Sequence, residues 1–139
     1  MPVLIDSGDL REIPGLHSKN LFLKTEKSNL FYLVSVIQDK RVDLKALSNL
    51  LNCTRFSFGK PEDLFNLLKL THGSVTPFGL MFDKNKQINF VLDKDFLNSD
   101  FINFHPLVNN MTIGLNPQDF LICMNLLEHK PNIINIPVK

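Results

Sequence analysis

Four short segments hold the polar side chains that core packing explains least, and they are the first candidates for chemistry. Each adjoins a predicted strand or helix end, where a rigid element can hold a loop residue in place. Their lysine, histidine and hydroxyl groups and their loop amides could bind an anion or polarise an ester carbonyl. The segments are Pro14–Asn20, Lys40–Arg41, Gly73–Gly79 and Phe104–Asn109.

Two of these segments each leave two interpretations open. Lys19 begins an apolar strand, where a solvated charge is the usual reading and a catalytic lysine needs partners. The run Gly73-Ser74-Val75-Thr76-Pro77 follows a predicted helix. Its glycine permits a positive φ, and its amides and hydroxyls could wrap an anion or an ester carbonyl, although a plain helix-to-strand connection also fits.

His105 and Asn109 are similarly ambiguous. His105 precedes Pro106, which favours extended backbone, and a lone histidine there is either a structural hydrogen-bonding residue or a general base. Basic residues interleaved with acids favour a solvated face, with a modest phosphate-binding edge as the alternative. These basic residues are Lys40, Arg41, Lys45, Arg55 and Lys60.

Composition and motifs exclude several classes of function. The 139 residues carry a formal charge of +1, so any contact with nucleic acid must be local. The chain has no Gly-x-Ser-x-Gly elbow, Walker loop, dinucleotide fingerprint, His-Glu-x-x-His or EF-hand loop. Cys53 and Cys123 lack metal-ligand spacing, and we expect them in the core. We therefore expect no metal and no cofactor.

The sequence also predicts a location. Asp6 directly follows the three apolar residues Val3–Ile5, unlike a signal peptide, and no uncharged apolar run approaches the roughly 20 residues that span a bilayer. Cysteine usage fits a reducing compartment. We expect a cytoplasmic protein with no membrane partner.

Apolar patterning and turn residues place the elements that must position these groups. Asn20–Lys24 and Leu30–Val36 read as a hairpin, and so do Leu80–Asp83 and Gln87–Leu92. Asp43, Pro61 and Asn116-Pro117 open predicted helices, and Lys94–Asn98 is a helical turn. The remaining predicted strands are Arg55–Phe58, Phe101–Phe104, Met111–Leu115 and Asn132–Val138. The sequence predicts one α+β domain over residues 1–139, built from hairpins and packed helices.

Several longer motifs in order resemble a known family. They are Gly15–Lys24 (GLHSKNLFLK), Val42–Lys45 (VDLK), Gly73–Leu80 (GSVTPFGL), Val91–Asp93 (VLD) and Phe104–Asn109 (FHPLVN). Together they resemble the YbaK/prolyl-tRNA-synthetase-associated superfamily over about residues 10 to 137, and most of all its free-standing prolyl-tRNA-editing deacylases. The chain begins almost at the first motif, so we expect it to lack the N-terminal helix and strand usual in relatives.

The resemblance implies a mixed-sheet α+β domain with a pocket between the sheet and the glycine-proline loop. It implies that Lys19 is the catalytic residue. The substrate-binding residues would be Asn20, Gly73, Ser74, Val75, Thr76, Pro77, His105 and Asn109. The implied reaction is hydrolysis of alanyl-tRNA(Pro) without a cofactor, with the tRNA 3′ end and prolyl-tRNA synthetase as partners.

Three alternatives to this function stay open. The pocket could take cysteine, serine or threonine instead of alanine, because the sequence does not fix its volume. The domain could be a non-catalytic module that binds tRNA or a synthetase. It could also be the editing domain of a larger synthetase. Under the alanine hypothesis, the turn Val75–Pro77 forms the wall that excludes proline.

Overall fold

The hairpin that the sequence predicts first forms the centre of the sheet. In a computed structural model, which describes residues 3–6, 16–27, 30–71, 75–104 and 111–139, β2 (Leu16–Thr25) pairs antiparallel with β3 (Phe31–Ile37). Their register sets Lys19 opposite Val36 and Asn20 opposite Ser35. The predicted hairpin is therefore confirmed.

Six further strands complete an eight-stranded sheet within these described residues. Along it the order is β1-β7-β6-β2-β3-β5-β8, and β4 pairs with the end of β2. The pairs β2–β6, β3–β5 and β5–β8 are parallel and the others antiparallel, so the predicted mixed sheet is confirmed. The added strands are β1 (Val3–Asp6), β4 (Phe56–Phe58), β5 (Ile88–Asp93), β6 (Ile102–Phe104), β7 (Met111–Leu115) and β8 (Asn132–Ile134).

The helices begin where the capping residues predict. Asp43 Oδ1 accepts a hydrogen bond from Ala46 N at 3.1 Å at the start of α1 (Leu44–Leu50). Asn116 Oδ1 accepts one from Asp119 N at 2.8 Å at the start of α3 (Pro117–Leu126). Such caps satisfy main-chain N–H groups that the first helical turn leaves unpaired. The remaining α-helix of the described residues is α2 (Pro61–Leu68). Two 3₁₀ helices span Pro77–Phe82 and Lys94–Asn98.

The second predicted hairpin is wrong. Leu80–Asp83 is not a strand, because Pro77–Phe82 forms a 3₁₀ helix and β5 pairs in parallel with β3 instead. Thr76 Oγ1 caps this helix by accepting from Phe78 N at 3.4 Å, and Pro77 occupies its first turn. A short apolar run has no period that separates a strand from a buried helical turn, and here the cap and the proline decide.

Both faces of the sheet are buried, each against its own core. Successive strand residues point to opposite faces, so Phe22 and Leu33 join α2 and α3 in the first core. Leu23 and Val34 join Leu47 of α1 in the second core. The same alternation sends Lys19 to the face of the second core and Asn20 to the face of the first. Burial on both faces is also why β2 and β3 lack a clean apolar–polar alternation.

Candidate functional site

The Lys19 side chain lines a large cavity on the face of the sheet that packs against the second core. The cavity has a volume of about 850 Å³ and lies between β2, α1 and β4. This size is within the usual range for a small-molecule or cofactor pocket. Its lining residues are Lys19, Leu21, Val42, Asp43, Leu44, Lys45, Ser48, Asn49, Cys53, Arg55, Phe56, Phe58 and Lys139.

Positive charge dominates this cavity. Among the described residues, four cationic side chains line it, those of Lys19, Lys45, Arg55 and Lys139, against the acidic side chain of Asp43. That carboxylate already caps α1. Lys139 reaches the cavity because its N–H donates to Arg41 O at 2.9 Å, which ties the end of the chain to the segment before α1. An excess of cations in a concave site favours a polyanionic ligand.

The Lys19 ammonium is held at one point. Its Nζ donates to the main-chain carbonyl of Lys40 at 2.5 Å. Lys40 Nζ in turn lies 2.9 Å from Asp93 Oδ2 and 2.6 Å from Asp95 Oδ2. Burial lowers the pKa of Lys40, but the hydrogen bonds to Asp95 and Asp93 outweigh it, and the net pKa is above 10.5. Lys40 is therefore an ion-pair residue and not the solvated cation that its sequence neighbourhood favours.

Asn20 lies on the other face, in a network of its own. Ser35 Oγ donates to Asn20 Oδ1 at 2.5 Å, and Asn20 Nδ2 donates to Ser18 Oγ at 3.3 Å. Ser18 Oγ donates to Asn103 O at 2.8 Å, which links β2 to β6. The side chains of Lys19 and Asn20 therefore do not share one cavity wall.

The described part of the glycine-proline loop lies on the same face as Asn20. Val75 packs against the first core, and Thr76 and Pro77 are buried. These three residues do not line the cavity that contains Lys19. Gly73, Ser74, His105 and Asn109 lie outside the described residues.

Sequence reasoning missed several residues of the cavity. Arg55 carried only the weak signal of interleaved charge, and Lys45 carried the same signal and a place in a family motif without a role. Their convergence depends on how α1 and β4 pack. Lys139 carried no signal, because a backbone bond far along the chain brings it there. Asp93 stood in a family motif without a role, although its carboxylate is fully buried behind Lys40.

The two cysteines differ in environment. Cys123 packs against the first core, whereas Cys53 both packs against the second core and lines the cavity. Burial raises the pKa of the Cys53 thiol above 9.0, and a hydrogen bond with Tyr32 only partly offsets this. A thiol with a raised pKa is a poor nucleophile at neutral pH.

The described residues show no arrangement suited to metal ligation or to membrane insertion. Its His, Cys, Asp and Glu side chains form no group of three that could hold a metal ion. Across the same residues, no helix has the length and apolar character to cross a bilayer.

Comparisons with known proteins bear on what this site does. The family model for an aminoacyl-tRNA editing domain matches residues 10–122. Prolyl-tRNA synthetase associated domain-containing protein 1 of Xenopus laevis is 36% identical over 130 residues, covering 91% of this chain and 77% of that protein. The prolyl-tRNA editing protein ProX of Acetoanaerobium sticklandii is 37% identical over 101 residues, covering 73% and 62%.

A solved structure supports the fold. A proposed trans-editing enzyme for prolyl-tRNA synthetase superposes with a TM-score of 0.70 at 20% identity, covering 88% of this chain and 71% of that one. The resemblance that the ordered motifs indicate is thereby confirmed, as is the predicted α+β fold. The chain belongs to the aminoacyl-tRNA editing domain family.

Proposed function

We propose that this protein hydrolyses the ester of mischarged tRNA(Pro), with alanyl-tRNA(Pro) as its substrate. The observation that carries the proposal is the position of Lys19, in a strongly cationic cavity of an editing-family chain. A cavity of about 850 Å³ has room for a terminal nucleoside together with its aminoacyl group. The tRNA 3′ end is the polyanion that its cations would bind.

Little chemistry is needed, because an aminoacyl ester is already activated. Hydrolysis requires a placed water and stabilisation of the negative charge that develops on the carbonyl oxygen. We assign that stabilisation to the Lys19 ammonium, fixed on the Lys40 carbonyl in the free protein. Asp43 carries the carboxylate side chain among the described lining residues, and it caps α1. We therefore assign the water's proton to a substrate hydroxyl, which passes its own proton to the departing ribose oxygen as the ester C–O bond breaks.

Asn20 acts from the opposite face under this proposal. Among the described residues, strand pairing on one side of β2 ends with β6 at His17 and resumes with β4 at Leu23. A substrate that enters this interval, in the plane of the sheet, meets Lys19 on one face and Asn20 on the other. We propose that the loop Gly73–Pro77 cradles the ester there, with His105 and Asn109 completing the pocket.

Discrimination between amino acids would rest on size. A synthetase pocket built for proline cannot strongly exclude the smaller alanine, so a second, smaller pocket must remove the error. Val75 is partly buried, Thr76 and Pro77 are buried, and Thr76 caps the 3₁₀ helix that follows, which suits a wall that excludes proline. Prolyl-tRNA synthetase is the partner that such an activity would serve.

The test is release of labelled amino acid from four forms of tRNA(Pro), charged with alanine, cysteine, serine or proline. The proposal predicts rapid release of alanine and no release of proline. Release of cysteine or serine in place of alanine would contradict the assigned substrate but keep the deacylase. Binding of all four without any release would instead identify a non-catalytic tRNA-binding module.

A further inference from the structure

Asp93 is a buried carboxylate that the proposed chemistry does not use. It ends β5, its side chain is fully buried, and both of its oxygens are engaged. Oδ2 accepts from Ile37 N at 3.3 Å, and Oδ1 accepts from Asp95 N at 3.0 Å. Asp93 thereby joins the end of β3 to the start of the 3₁₀ helix Lys94–Asn98.

The same carboxylate holds Lys40. Lys40 Nζ lies 3.1 Å from Oδ1 and 2.9 Å from Oδ2 of Asp93, and Asp95 binds it from the solvent side. Removing one partner of a pair that includes a buried charge is costly, because the remaining charge stays desolvated. Lys40 is therefore held from two sides, by the buried Asp93 and by the partly exposed Asp95.

The main chain of Lys40 carries this constraint to the cavity. Its N–H donates to Ile37 O at 3.0 Å in the turn after β3, and its carbonyl accepts from Lys19 Nζ. Fixing both the side chain and the turn fixes the direction of that carbonyl. A four-carbon lysine stem has many rotamers, and one oriented acceptor selects among them.

We propose that Asp93, acting through Lys40, is a positioning residue that orients the Lys19 ammonium for ester hydrolysis. The inference rests on the proposed function, because it assumes that Lys19 acts on the ester. Displacement of a catalytic group by about 1 Å can cost on the order of 100-fold in rate. Loss of the Asp93–Lys40 pair should therefore lower kcat and leave the KM for charged tRNA nearly unchanged.

The test compares Asp93→Asn and Lys40→Met with a matched control, Asp83→Asn. Asp83 is also a buried carboxylate that accepts two main-chain N–H groups, from Gln87 and Ile88, but it binds His129 away from the cavity. We expect kcat on alanyl-tRNA(Pro) to fall about 10- to 100-fold in Asp93→Asn and Lys40→Met. Asp83→Asn should lower the Tm but keep the wild-type kcat, and Lys40→Arg should recover most of the loss.

A second readout does not depend on activity. The ¹³Cε signal of Lys19, assigned by its loss in Lys19→Ala, should move toward that of free lysine in Lys40→Met and Asp93→Asn. It should stay in place in Asp83→Asn. In the Lys19→Ala background, Asp93→Asn should cause no further loss of kcat, because both changes remove the same contribution.

The outcomes separate this inference from the function on which it rests. An inactive Lys19→Ala together with wild-type kcat in Lys40→Met and Asp93→Asn would overturn the positioning role alone. Wild-type activity in Lys19→Ala would overturn both. An unmoved Lys19 signal in Lys40→Met would overturn the positioning role whatever substrate the protein takes.

Discussion

Lys19 and Asn20 are consecutive in β2, yet their side chains project from opposite faces of the sheet. Lys19 Nζ donates to the Lys40 carbonyl beside the cationic cavity. Asn20 exchanges hydrogen bonds with Ser35 and Ser18 against the first core. One short motif therefore places two polar groups on opposite faces, an ammonium beside the cavity and an amide that is hydrogen-bonded within the sheet.

This division predicts unequal losses of stability. Asn20→Ala leaves the fully buried Ser35 hydroxyl without its acceptor, which should lower the free energy of unfolding by about 1–3 kcal/mol. Lys19→Met loses one hydrogen bond at a partly exposed site and should cost no more than about 1 kcal/mol. Urea denaturation of both variants measures the difference. Equal destabilisation by the two changes would contradict the separation of faces.

The cationic cavity predicts a salt dependence of tRNA binding. Lys45→Gln and Arg55→Gln should each reduce the slope of log Kd against log salt by about 0.7, the contribution of one contact to a single-stranded phosphate. Uncharged tRNA(Pro) in fluorescence titrations avoids turnover. Lys84→Gln, in an exposed turn that does not line the cavity, is the matched control. A slope that changes as much in Lys84→Gln would show that the cavity is not the binding surface.

The Lys40 ion pair predicts a loss of stability at alkaline pH. Since its folded pKa lies above 10.5, the pair contributes fully below that pH, and its contribution is lost as the pH rises through the folded value. Lys40→Met should therefore be less stable than the wild type at about pH 8, and the gap should narrow as the pH rises above 10.5. The pKa values of Tyr32 and Cys53 are also raised, chiefly by burial, so the wild type loses their contributions in the same direction.

Urea titrations of the wild type and Lys40→Met across this range measure the gap. Tyr32 and Cys53 are present in both proteins, so their titration cancels in the difference. Lys84→Met should show no gap at either end of the range. A difference between wild type and Lys40→Met that stays constant with pH would contradict the folded ion pair.

Local signals predicted the parts of the fold that local physics decides. Asp43 and Asn116 cap helices where their residue types indicate, and the turn after Thr25 closes the central hairpin. The strand prediction for Leu80–Asp83 was wrong because its short apolar run fits a strand and a helical turn equally well. Its parallel-paired neighbour β5 depends on contacts far along the chain.

The sequence likewise predicted only part of the candidate site. Motif order identified Lys19, but the face to which it points follows from the register of β2 against β3. The arrival of Arg55 and Lys139 in its cavity depends on β4 pairing and on the Lys139–Arg41 backbone bond. The hydrogen bond between Lys40 and Asp93 joins residues that are 53 positions apart in sequence, so the sequence alone did not indicate it.

Single-turnover deacylation of alanyl-tRNA(Pro) tests most directly whether Lys19 stabilises the transition state of ester hydrolysis. Wild type, Lys19→Ala and Lys19→Arg are compared at saturating enzyme, with tRNA binding measured in parallel. We predict that Lys19→Ala lowers the rate by about 100-fold or more while the Kd for tRNA changes far less. A wild-type rate in Lys19→Ala, or a loss of rate explained entirely by weaker tRNA binding, would contradict this role of Lys19.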